Sequence, residues 1–308
     1  MKNQNTLIQH QMSLEEASRR GALVMLMSNI MDKVDDEIKE QKSDLLKTGI
    51  SRAAVDTMKF SLSKSLIGQI TALSHSFKPY RYLEGGTLIE SPLSPERGQL
   101  LITLVQIPLD STTRHQIYLY ATFQNADLKD AILNRANLSG LDLNDANFTK
   151  SYLIGANLHR TMLKGADLSY ANLSNANLEA ANMDGAVLKR TILFKANLLA
   201  SSFVKANLME AILELSDLHQ STLNGASLIR ANLSGADLSG ADLLGDEFYN
   251  TSDADLSDAD FSRANLEATM VSVNQLSRSY SLKYCEGLSD SIRKVLVKDF
   301  PHLFTPHN

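Results

Sequence analysis

Apolar positions fall on a period of five through the middle of the chain. From Phe123 to Phe248 every fifth residue is Leu, Phe or Met. A small residue stands two places before each, as at Ala126, Ala136, Ala146 and Ala156, and only Leu141 and Asp246 break this second rule. The position between the two is very often Asn or Asp. Along an α-helix a five-residue step turns the side chain by about 140°, so no apolar stripe forms. Along a continuous strand an odd step sends successive Leu residues to opposite faces. The small residue and the Leu of one repeat, two apart, do share a side. The pattern closes when each repeat is a short extended piece followed by a bend, so that both residues enter one narrow interior.

The outward positions set the length of a coil. Just before the central residue, the apolar exceptions include Ile132, Tyr152, Ile192 and Ile212, with Asn172 and Asn232 filling the gaps. All are multiples of 20 residues apart. A coil of four repeats therefore stacks them in one column, joined by Ile154 and Phe194 two positions further along the same face.

Segments such as Ala-Asn-Leu-Ser-Gly at 231–235 and Ala-Asp-Leu-Ser-Gly at 236–240 resemble the pentapeptide-repeat family, whose consensus is A-(D/N)-L-x-x. The resemblance covers nearly half of the chain in 26 consecutive repeats. It implies a mainly β protein built on a right-handed quadrilateral β-helix. About 6.5 coils at the ~4.8 Å spacing of adjacent strands make a rod of about 31 Å. The expected organisation is an α-helical N-terminal module over 1–120, the repeat β-helix over 121–280, and a short helical C-terminal cap over 281–308. Register slips after Phe248: the next repeats centre on Leu256, Phe261 and Leu266, which reads as three extra residues around Tyr249 to Asp253.

The flanks read as helices. Ser13-Leu-Glu-Glu16 is a capping-box sequence opening a helix to about Lys47, where Gly49 ends it. A second helix is predicted from Ser51 to Ser76, with Val55, Met58, Leu62, Leu66, Ile70 and Leu73 on its apolar face. Pro79, Gly85-Gly86, Pro92 and Pro95 punctuate the residues after it, and Ser94-Pro95 reads as an N-cap with Pro in the first turn. The stretch KPYRYL…LSPERGQLL resembles the region before the repeats in some bacterial, notably cyanobacterial, relatives. This N-terminal part is either a cap with a hairpin or a helical partner-binding module. Near the C-terminus, Ser289 or Ser291 caps a helix containing Ile292, Val295, Leu296 and Val297, stopped by Pro301. That helix either covers the open end of the repeats or pairs two copies.

Charge changes the picture only locally. The formal net charge is −5, from 30 Lys and Arg against 35 Asp and Glu, which argues against a general nucleic-acid binder. The single cysteine, Cys285, allows neither an internal disulfide nor a thiolate cluster. His159 and His219 stand 60 residues apart, too far along the coils to share a metal. No catalytic motif, cofactor loop or metal set is evident, and the expectation is a non-enzymatic protein. The apolar stretch Gly21 to Met27 is too short to span a membrane and no leader pattern opens the chain, so a cytoplasmic location is expected.

Two surfaces then stand out as candidates for binding a protein partner, or a second copy. One is the apolar column Ile132, Tyr152, Ile154, Ile192, Phe194 and Ile212, unless the N-terminal helices fold back over it. The other is an acidic end: Asp237, Asp242, Asp246, Glu247, Asp253, Asp255, Asp258 and Asp260, with Tyr249 among them and no Lys or Arg before Arg263. The family resemblance raises two alternatives, a DNA-mimicking binder of gyrase or topoisomerase and a secreted bacterial effector acting in a host cell. Mimicry needs acidic groups along the whole rod, whereas from Ala121 to Gly235 ten acidic residues balance ten basic ones.

Overall fold

The computed structural model describes residues 2–245 and 253–305. The chain divides into two compact units, Met1–Thr122 and Phe123–Asn308.

The first unit is helical. Helix α1 (Lys2–Lys47) begins well before Ser13 and ends where Gly49, at φ 88°, turns the chain. Ile30, Val34 and Ile38 of α1 are buried. The single helix expected from Ser51 to Ser76 is instead two, α2 (Arg52–Asp56) and α3 (Lys64–Ser76). A distant contact causes the break. The Phe60 N–H donates to the Pro108 carbonyl at 2.8 Å, and the Phe60 carbonyl accepts from the Asp110 N–H at 2.9 Å. Phe60 is buried there, and Ser63 restarts the helix as an N-cap. A two-residue hairpin joins β1 (Leu83–Glu84) to β2 (Thr87–Leu88) through Gly85 and Gly86, both at positive φ as a type I′ turn requires. Ser94 caps α4 (Pro95–Gln106) as its sequence predicts. Asp110 caps α5 (Ser111–Tyr120), a helix the apolar pattern did not show.

The second unit is a stack of coils held by parallel bridges between residues 20 apart, such as Ile132 to Tyr152 and Asn157 to Asn177. Four five-residue repeats make each coil. The small residue and the central residue of each repeat are buried, among them Leu133, Ala156, Leu158, Phe148 and Phe203. The bend follows at once. In the turn Leu128 to Ala131, the Ala131 N–H donates to the Leu128 carbonyl at 3.1 Å, and the third residue, Asp130, has φ 56°. Positive φ at that position alone is the signature of a type II turn, which recurs at nearly every corner.

The register slip is larger than the sequence pattern implied. Ser227 pairs with Asp255 and Asp242 with Met270, a spacing of 28 residues, so this coil is eight residues longer than the 20-residue coils before it, rather than three. The Ala254 N–H donates to the Leu243 carbonyl at 2.8 Å. Leu256 therefore takes the place assigned to Phe248, which lies outside the described residues. A short helix α6 (Val273–Leu276) interrupts the last coil. Helix α7 (Asp290–Asp299) follows, capped by Ser289, and of its four apolar residues only Leu296 is fully buried. Beyond it the Leu303 carbonyl accepts the Leu282 N–H at 2.8 Å, and Leu303 is buried.

Candidate functional site

The coil geometry separates backbone from side chain on every face. At Tyr152 the N–H donates to the Ala131 carbonyl and the carbonyl accepts from Leu133 N–H, at 2.9 and 2.7 Å. The backbone is thus used up inside the stack, and the outward side chains are free to vary. Most repeats place Asn or Asp here for a local reason. Its side-chain oxygen accepts the N–H two residues on, as from Asn157 to His159 at 3.1 Å and from Asp217 to His219 at 3.0 Å. Isoleucine and tyrosine cannot make that bond, so their presence in the column trades a turn contact for exposed apolar surface.

The apolar column lies along one face. Parallel bridges join Ile132 to Tyr152, Tyr152 to Asn172, Asn172 to Ile192, Ile192 to Ile212, and Ile212 to Asn232. Ile132 is 72% exposed, Tyr152 50%, Ile154 38% and Ile212 38%, while Ile192 and Phe194 are half-buried. The Ile154 N–H is held by the Asn134 side chain of the preceding coil at 2.9 Å. Lys195 Nζ lies 5.1 Å from the centre of the Phe194 ring.

Two residues at the next corner extend this surface, and the sequence reading missed them. Leu215 and Tyr284 are exposed, and together with Gly235 and Arg263 they line an open hollow of about 330 Å³. A side chain at Gly235 would fill it, because an added Cβ would sit 2.7 Å from Leu215 Cδ2. Corner positions carry no apolar period. The signal that could have found them is the 20-residue step from Arg135 through Lys195 to Leu215, counted on the corner rather than on the face.

The acidic candidates do not form one patch. Asp237, Asp242, Asp255 and Asp260 pair with residues of four different faces, so they ring the stack. Each also accepts the N–H two residues on, as Asn does elsewhere, at 2.9 to 3.1 Å. Asp253 accepts from Gly245 N–H at 2.7 Å, and Asp258 pairs with Arg230 at 3.6 Å. Asp246, Glu247 and Tyr249 lie outside the described residues.

Chemistry elsewhere is sparse. Burial pushes the Cys285 thiol above its ordinary value, with Arg293 partly opposing it, so the nucleophilic thiolate is disfavoured. His219 Nδ1 lies 2.7 Å from Ser239 Oγ, and His159 Nδ1 lies 3.9 Å from Glu179 Oε2. Among the described residues no group of three or more His, Cys, Asp or Glu could hold a metal ion, and no helix is long and apolar enough to cross a membrane.

The model of pentapeptide repeats matches this sequence in eight copies, over residues 120–149, 131–169, 142–179, 171–209 and 211–244. Among solved structures, the chain is similar to HetL, a pentapeptide repeat protein involved in heterocyst differentiation regulation in the cyanobacterium Nostoc sp. strain PCC 7120. The identity is 28% over 54% of this chain and 76% of that one, with a TM-score of 0.30. A second pentapeptide repeat protein of Nostoc PCC 7120, alr5209, is 34% identical over 30% of this chain and 69% of its own, with a TM-score of 0.25. Full-length QnrB1, a plasmid-mediated fluoroquinolone resistance protein, is 19% identical over 57% of this chain and 90% of its own, with a TM-score of 0.26. No curated protein matches. With a five-residue repeat stacked in coils of four and the family's model matched eight times, this chain belongs to the pentapeptide-repeat proteins.

Proposed function

We propose that this chain is a non-enzymatic protein–protein interaction scaffold, and that its docking surface is the apolar face running from Ile132 to Ile212. In this reading the stack is a right-handed quadrilateral β-helix over 121–280, the helical part over 1–120 is a separate module, and 281–308 is a cap. The burial of Leu296 and Leu303 and the bond from Leu282 to Leu303 support the cap. One observation carries the function: exposed Ile132, Tyr152 and Ile212 stand in one column, with Ile154 beside it, and the stack already satisfies the backbone N–H and carbonyl of Tyr152 and Ile212. Asn172 divides this face into two apolar clusters, Ile132 with Tyr152 and Ile154, and Ile192 with Phe194 and Ile212, and apolar patches of this kind mark interaction sites.

The test is the full-length double variant Tyr152→Lys/Ile192→Lys. Pull-down should recover a protein with the wild type and lose it with the variant, at an unchanged melting temperature. Light scattering asks separately whether the partner is a second copy. Equal recovery and equal oligomeric state would refute the assignment. The DNA-mimic alternative draws less support, since the acidic side chains ring one end and basic ones line much of the repeat.

A further inference from the structure

The docking face has a charged frame, and the frame specifies its occupant. Coil stacking gathers basic residues at the two corners that bound this face. On the corner before it stand Lys150, Arg190 and Arg230, each beside the turn that leads into the column, with Lys129 and Lys189 one position earlier. On the corner after it stand Arg135 and Lys195. Together these are seven of the ten Lys and Arg between residues 123 and 245, whereas only three of the twelve Asp and Glu, namely Asp130, Glu210 and Glu214, share the same two corners. The column itself carries no charge from Ile132 to Asn232.

Part of this charge is already balanced. Arg190 Nε meets Glu210 Oε2 at 2.6 Å, and Arg230 meets Asp258 at 3.6 Å. Arg135, Lys150 and Lys195 have no ion-pair partner among the described residues.

Resting on the docking role proposed above, we infer that this face takes an acidic amphipathic helix of another protein, laid along the stack. Three features support that occupant. Four coils from Ile132 to Ile212 span about 19 Å, the length of about 13 helical residues. The ~4.8 Å step between coils nearly matches the 5.4 Å pitch of an α-helix, so each helical turn meets one coil. An apolar stripe on such a helix would lie on the isoleucines and Tyr152, and flanking carboxylates would reach the unpaired Arg135, Lys150 and Lys195. A phosphate backbone would use the basic edges but leave the isoleucines without a role, since bases stack on aromatic rings and this face offers only Tyr152 and the half-buried Phe194.

A displayed library of helical peptides, panned against the full-length chain, with each recovered peptide then measured against the Tyr152→Lys/Ile192→Lys variant, tests this. Recovered peptides should carry apolar residues at three- and four-residue spacing, flanked by Asp and Glu. Their affinity should fall with added salt, and by at least about tenfold in an Arg135→Glu/Lys150→Glu/Lys195→Glu variant. Peptides with neutral or basic flanks that still need Tyr152 and Ile192 would overturn the acidic occupant while leaving the docking role intact. Peptides that bind the double variant equally well would overturn both, and no peptides at all would overturn the helical occupant. Retention on phosphatidylserine vesicles, lost in the triple variant and without any acidic peptide selected, would overturn the helix in favour of a lipid surface.

Discussion

Ala180 and Ala200 occupy turn corners at φ 55° and 53°, where an L residue is strained. Left-handed backbone costs such a residue about 1–2 kcal/mol. Replacement by Gly removes that cost from the folded state. The added freedom of Gly in the unfolded chain takes back about 0.4–1 kcal/mol. Nothing else changes: both methyl groups are exposed, and the N–H bonds to Leu199 and His219, at 2.8 and 2.9 Å, survive the substitution. Each of Ala180→Gly and Ala200→Gly should therefore stabilise the stack by about 0.5–1 kcal/mol. Gly185→Ala is the mirror experiment. Its φ is 65° and an added Cβ meets no atom within 4 Å, so the loss of about 0.5–1 kcal/mol would come from backbone strain alone. Urea unfolding followed by circular dichroism, with the transition slope held constant, reads all three. The ordinary order, in which Gly weakens and Ala strengthens, would refute the argument.

Gly287→Ala should be far more costly, about 3 kcal/mol or more, because the new Cβ would lie 2.2 Å from the Glu267 backbone nitrogen, which cannot rotate away; a large drop in melting temperature is the readout. Ser151→Ala should be neutral or slightly stabilising in urea unfolding, since its buried hydroxyl has no partner, whereas Thr191→Val should lose about 1 kcal/mol with the bond from Oγ1 to the Leu168 carbonyl at 2.8 Å. The Tyr118 phenol is pushed up to about 12 by burial, so the folded state holds this proton more tightly than the unfolded one. The stability it contributes is complete below pH 10 and is lost as pH rises from there through about 12. Tyrosinate absorbance in an alkaline titration should lose part of its late phase in Tyr118→Phe, the rest belonging to Tyr80, which burial likewise pushes up to about 12.

The repeat itself explains why the Asp-rich run is spread over several faces. Asp237, Asp242 and Asp255 each serve the same turn bond that Asn serves elsewhere. Five-residue spacing sends consecutive members to different faces, so a run that is dense in sequence is dilute in space. Basic residues show the reverse: Arg135, Lys150 and Lys195 are far apart in sequence yet frame one face.

The period-five core was legible from the residues alone because every repeat must satisfy the same local demand, a small and a large side chain inward and a bend after them. The 20-residue coil was legible from Ile132, Tyr152, Ile192 and Ile212 for the same reason. Tertiary structure decided what local rules leave open. An eight-residue extension reads as a slip of three when Phe248 falls five residues after Leu243 by coincidence, and only the bridge from Ser227 to Asp255 reveals the true length. Helix propensity carries straight through Phe60, and only its pairing with residues 108 and 110 breaks the helix there. In both places the deciding bond joins residues far apart in sequence, and a pattern read along the chain holds no record of it.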